Sequence, residues 1–173
     1  MKLILIIIVG TVSVLCNATK QPREPDAITV SFCEILASPE RYDGKLVTVR
    51  ANYGGTWEGL YLSDPACSKK FPEGEDYILV GDSYYPGLEK YKKVPFRVDR
   101  ESRRFEQASR KLCNAMIEPC EFDYIMADFT GVIAVKRGFK VSRGWGNGFG
   151  HLGMSKTALL WQSVSNVYPH PKQ

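Results

Sequence analysis

Between residues 136 and 156 the chain interleaves cations, rings and glycines. Lys136, Arg137, Lys140 and Arg143 carry positive charge, and Phe139, Trp145 and Phe149 offer flat apolar surface. Gly138, Gly144, Gly146, Gly148, Gly150 and Gly153 let the backbone approach a bound molecule closely. Single-stranded nucleic acid or an acidic glycan asks for this combination: charge against its backbone and rings for stacking. His151 belongs to the same stretch, and Trp57 lies in an earlier loop that reaches the same side. The predicted ligand-binding residues are therefore Lys136, Arg137, Lys140, Arg143, Trp145, Phe149, His151 and Trp57. The competing reading is that the glycines only make turns and the rings fold back to cover the end of the fold.

The same stretch yields no catalytic residue. Gly148-x-Gly150-x-x-Gly153 matches a dinucleotide-binding fingerprint literally, but a strand follows it where a helix N-terminus would have to hold pyrophosphate. Gly153-Met154-Ser155-Lys156-Thr157 lacks the second glycine of a nucleophile elbow and the Gly-Lys pair of a phosphate loop. Acidic residues are numerous without a spacing that fixes a carboxylate pair. No cofactor is expected. No metal is expected either, since there is no CxxC pair and the only histidines are His151 and His170.

Charge is distributed unevenly. The 173 residues carry a net +4. Beyond Asp128 there are six basic residues and no acid, whereas residues 19–128 hold 16 basic and all 19 acidic residues. A basic C-terminal third suits an anionic partner. It equally suits a solvated edge that keeps a strand from aggregating.

Residues 1–18 read as a secretory signal peptide: Lys2, an apolar run through Leu15, and small residues before a cut after Ala18. An uncleaved anchor and lipid attachment at Cys16 are the alternatives; the run is short for a span. No transmembrane span is expected after cleavage, and the protein is expected to be periplasmic or secreted. Residues 19–27 form a leader. The remaining cysteines, Cys33, Cys67, Cys113 and Cys120, are even in number, which in an exported chain argues for two disulfides. Three pairings are possible. In an unbroken helix Cys113 and Cys120 would stand about 10 Å apart along the axis, too far for a bridge. Pro119 stops the helix, so a chain folding back there favours Cys113–Cys120 and Cys33–Cys67.

The elements that must position these residues follow from periodicity and punctuation. Ile28 to Leu36 enters a short helix capped by Ser31, with Glu34 closing a capping box and Pro39 ending it. Strands are expected at 46–51, 59–63, 77–80, 122–135 and 157–167, rich in β-branched and aromatic residues. Gly131 marks a bulge or bend in the fourth. Arg100 to Ile117 has no glycine or proline, and Phe105, Ala108, Leu112, Ala115 and Met116 recur at helical spacing, so it reads as an amphipathic helix capped by Asp99. Val47, Val49, Leu60, Leu62, Ile78, Val80, Phe129, Val132, Leu160 and Val164 form the expected core. Residues 169–173 are a tail.

Helix, three meandering strands, helix, two strands is the order of an OB-fold, a five-stranded Greek-key barrel. The expected fold is thus mainly β with helices: one domain over 28–168, with a short N-terminal helix and a second helix between strands three and four. An α+β sandwich is the rival. Phe32-Cys33-Glu34-Ile35-Leu36 with Pro39-Glu40-Arg41-Tyr42-Asp43-Gly44-Lys45 and the Val47-x-Val49 strand resembles the opening of small exported bacterial OB-fold proteins. Tyr61-Leu62-Ser63-Asp64 with Cys67, and Gly148 to Gly153 before the last strand, extend the resemblance over most of 31–167. It implies a barrel that binds something and carries over no catalytic residue. The 82–120 insertion departs from the simplest pattern of that group. The expected function is a binding module, with an anionic polymer as ligand. A nuclease on the same barrel and an envelope protein with a protein partner are the alternatives.

Overall fold

The computed structural model describes residues 26–56, 59–81, 88, 90–91, 95–113, 120–142 and 144–172. The signal-peptide reading, nearly all of the leader, Trp57 and Arg143 lie outside the described residues. Strand β1 (Ile28–Val30) leads into helix α1 (Phe32–Ala37) and a single turn of tighter helix over Pro39–Arg41. Strands β2 (Leu46–Thr56) and β3 (Gly59–Ser63), the one-turn helix α2 (Pro65–Ser68), strand β4 (Ile78–Gly81) and helix α3 (Arg100–Ser109) follow. The chain continues through β5 (Phe122–Val135), the two-residue strands β6 (Val141–Ser142) and β7 (Trp145–Gly146), a tight turn at His151–Gly153, and β8 (Thr157–Pro171).

The ring closes. β2 pairs antiparallel with β3, β3 antiparallel with β4, β4 parallel with β8, β8 antiparallel with β5, and β5 antiparallel with β2. This is an OB-fold-like five-stranded barrel with short helices, and closure removes the edges an open sheet would expose. β1 adds to β2 as a parallel strand, with Ile28 opposite Val47.

Several boundaries differ from the sequence reading: β4 is shifted by one residue, and β2 runs past Ala51 to Thr56 because β3 pairs with it there. Ile28–Val30 is β-branched at all three residues and is drawn onto β2, so α1 begins only after Ser31, whose Oγ accepts from Glu34 N at 3.2 Å. The reciprocal half of that capping box is not made. The Glu34 carboxylate instead accepts from the Tyr42 hydroxyl. Helix α3 ends at Ser109, because pairing with the start of β5 draws the chain off there; residues 114–117 of the expected helix lie outside the described residues. The Lys111 carbonyl accepts from Glu121 N at 2.8 Å, and Cys113 N donates to the Phe122 carbonyl at 2.6 Å. At its start, Asp99 caps the helix as expected, and the Ser102 side chain caps the Asp99 backbone in return. β8 runs past Val167 to Pro171, because the start of β5 offers it partners: Tyr124 pairs with His170, and their rings stack 4.2 Å apart.

Seven of the ten expected core residues lie in the main core: Val47, Val49, Leu62, Ile78, Val80, Phe129 and Val164. They are joined there by Ile35 from α1 and by Phe105, Ala108 and Leu112 from α3's side. The other three do not belong to it. Leu60 is 42% exposed, because it sits at the far end of the β2–β3 pairing, next to the Thr56–Gly59 pair. Val132 and half-buried Leu160 belong to a second cluster on the opposite face of their strands, with Leu79, Ala134, Ala158, Leu88, Tyr91 and Phe149. A register shift between Thr130 and Gly131 leaves Gln162 as the extra residue on β8, and one extra residue reverses which side chains face inward. Leu159 therefore faces the core before the bulge and Val164 after it. Gly131 permits the contact there: a Cβ on it would lie 2.5 Å from the Leu160 carbonyl oxygen and 2.7 Å from Trp161 Cα.

The four cysteines pair as Cys33–Cys67 and Cys113–Cys120, with Cα atoms 5.4 and 4.9 Å apart, inside the range a disulfide allows. The first ties α1 to α2. The second joins Cys113, just past α3, to Cys120, just before β5. Among the described residues no helix is long and apolar enough to cross a membrane.

Candidate ligand-binding cleft

Alternation along β3 sends Leu62 into the barrel and leaves Gly59, Tyr61 and Ser63 on its outer face. Beside them come Tyr77 and Leu79 from β4 and its approach. The chain between β5 and β8 then arches over with Phe149, Gly150, His151 and Met154. Glu73 and Asp76, from the turn before β4, complete a cleft of about 350 Å³. This is the face of strands two and three of the barrel, overhung by the loop between strands four and five, where OB-folds hold their ligands.

The two walls are tied together. Gly74, at φ +79°, turns its carbonyl to accept from Lys156 N at 2.9 Å. The Phe139 ring fills the space against Gly74 and Gly148: a Cβ on either would come within 3 Å of it. Lys156 Nζ lies 2.8 Å from Glu75 and 3.4 Å from Glu40. Burial works to lower the Lys156 ammonium, but the two carboxylates outweigh it and hold it above the ordinary lysine range. Within the loop, Phe149 N donates to the Ser155 carbonyl at 2.7 Å and Ser155 N returns the bond at 3.0 Å. Leu152 is held at φ 55°, a left-handed backbone conformation that leucine avoids. Such a conformation persists only where its surroundings over-determine it, and these positions cluster at ligand clamps.

The structure divides the predicted set. Phe149 and His151 line the cleft. Phe149 is only 4% exposed, so it forms an apolar wall and not an open stacking platform, while His151 is exposed at the rim. Lys136, Arg137, Lys140 and Trp145 do not line it. Arg137 lies 3.6 Å from Asp43, Lys140 N bonds the Asn147 side chain at 2.9 Å, and Trp145 is 65% exposed on β7. The lining residues that the sequence reading missed are Tyr61, Tyr77, Glu73 and Asp76. Alternation on β3 was the available signal for Tyr61. The rings of Tyr61 and Tyr77 meet edge-on, 5.8 Å apart at 60°. Asp76 Oδ1 accepts from Gly74 N at 3.1 Å, which holds that turn.

One group among the described residues has the spacing of metal ligands: Cys33, Asp64 and Cys67. Its two sulfurs are already joined to each other, and Asp64 Oδ1 caps α2 through Ala66 N at 2.9 Å. A second groove of about 310 Å³ lies between α3 and β8, lined mainly by Tyr53, Phe96, Val98, Phe105 and Trp161. Burial pushes the Tyr53 phenol up to about 12, as expected of a ring enclosed by Phe105, Phe129 and Trp161.

The chain matches no family model, no curated protein and no solved structure.

Proposed function

We propose that this protein is a non-enzymatic binding module that holds its ligand in the cleft between β3, β4 and the β5–β8 loop. One observation carries the reading. The two walls are braced by the chain's own contacts through Gly74, Phe139 and Lys156, so binding has little ordering to offset. The lining suits binding more than chemistry. It has phenol rings, a hydroxyl, an imidazole and carboxylates around an apolar wall. The two disulfides support an exported protein, since such bridges persist in oxidising compartments. Screening the whole chain against neutral, cationic and anionic oligosaccharides, single-stranded oligonucleotides and short peptides tests the reading. Tyr77→Ala should weaken the ligand found by about ten-fold, the scale of one lost aromatic contact, without moving the melting temperature by more than a few degrees. Undiminished affinity in that variant would contradict it.

A second reading is favoured by the exposed Trp145 with Lys136, Arg137 and Lys140 on the outer side of the same loop. These groups suit an anionic polymer, single-stranded nucleic acid or acidic glycan, running across the loop rather than into the cleft. Filter binding at two salt concentrations distinguishes the components. Trp145→Ala should weaken an oligonucleotide by roughly 1–3 kcal/mol at unchanged salt slope, and Lys140→Ala should lower the slope by about 1. An unchanged slope would remove Lys140 from the contact.

A further inference from the structure

Resting on the cleft as the ligand site, we propose that its ligand is cationic: a protonated amine drawn in by Glu73, Asp76 and the rings of Tyr61 and Tyr77. The polar inventory comes first. The cleft is lined by two carboxylates, the Ser63 hydroxyl, two phenols and the His151 imidazole, and among the described residues no Lys, Arg, Asn or Gln lines it. Ionised carboxylates accept hydrogen bonds and do not donate them. The site is therefore rich in acceptors and negative, although the chain as a whole carries +4.

The part-buried cation beside the cleft is committed elsewhere: Lys156 is held between Glu75 and Glu40. A phosphate or sulfate entering the cleft would meet like charges in a recess whose walls focus the field, whereas an ammonium meets opposite ones. The rings act with the same sign, because the faces of tyrosine rings are negative and attract a cation within about 6 Å. Asp76 is fixed in advance by its bond to Gly74 N, and Glu73 stands exposed at the mouth. Leu79, Phe149 and Met154 supply apolar wall, so the amine belongs to a molecule with a carbon body to bury. A protonated amino sugar and a polyamine share this chemistry.

Isothermal titration of the whole chain at pH 6, where the probe amines are protonated, separates the possibilities. The probes are the β-1,4-linked glucosamine trimer, its fully N-acetylated form, which has the same body without the charges, and spermidine. At least one of the charged probes should bind ten-fold or more tightly than the acetylated trimer, and its affinity should fall as salt rises. If the glucosamine trimer is the tighter, the source is an amino sugar; if spermidine is, a polyamine. The double variant Glu73→Gln with Asp76→Asn should lose about ten-fold while still folding, since asparagine keeps the oxygen that accepts from Gly74 N. Three results would overturn the proposal: equal affinity for the acetylated trimer, indifference to the double variant, or no binding by any probe. Indifference to the double variant with sensitivity to Tyr77→Ala would leave the cleft as the ligand site and remove only its choice of charge. Binding unchanged in both variants would remove the cleft as well.

Discussion

Replacing Cys33 and Cys67 together by alanine is expected to lower the unfolding free energy by about 4 kcal/mol. The bridge closes a loop of 34 residues, and releasing it restores chain entropy to the unfolded state on that scale. The same replacement at Cys113 and Cys120, only seven residues apart, should cost nearer 2 kcal/mol. The first bridge has more than an entropic role. Cys67 is fully buried, and the link holds α1 and α2 together over the end of the main core. Urea melts of the two variants check the ordering. Equal losses, or a larger loss from the shorter loop, would show that the bridge between α1 and α2 is not what holds them.

Phe129→Ala is expected to cost about 3–5 kcal/mol, a large share of a total stability of roughly 5–15 kcal/mol. Phe129 is fully buried at the centre of β5. Its ring lies 5.7 Å from Phe105, 6.1 Å from Tyr53 and 6.4 Å from Trp161. Those rings come from α3, β2 and β8, so no single neighbour can move to fill the space. Leu60→Ala, at the exposed end of the hairpin, should cost well under 1 kcal/mol by comparison. A Phe129→Ala protein that melts like the parent would mean that the phase assigned to β5 is wrong.

The barrel was legible because its signals are local. Val47 and Val49 after an Asp-Gly turn, the run from Ile78 to Val80, and the β-branched and aromatic stretch over 122–135 each declare a strand without help from elsewhere. What was not legible depends on contacts distant in sequence. Ile28–Val30 becomes a strand only because β2 is beside it. Arg100 to Ile117 has helical periodicity throughout, but the helix ends at Ser109, and Lys111 and Cys113 bond to the start of β5 instead. The inward face of β8 reverses at Gln162, a residue whose type carries no mark of a bulge.

The site divides in the same way. Phe149 and His151 could be found from the glycine-rich loop itself. Tyr61, Tyr77, Glu73 and Asp76 reach that loop only through strand phase and the bond between Lys156 N and the Gly74 carbonyl. The basic residues dominated the sequence reading because composition reports charge without its direction. In the fold, Lys136, Arg137 and Lys140 face solvent, and the cleft beside them is lined with carboxylates.

The cleft is tested most directly by mapping amide chemical shifts of the whole, isotope-labelled chain as a bound probe from the screen is titrated in. Perturbations should concentrate on Tyr61, Ser63, Tyr77, Gly150, His151 and Met154, with the β6–β7 hairpin and the groove beside α3 unchanged. Perturbations confined to the hairpin around Trp145, or to the groove lined by Phe96 and Trp161, with the residues of β3 and β4 silent, would contradict it.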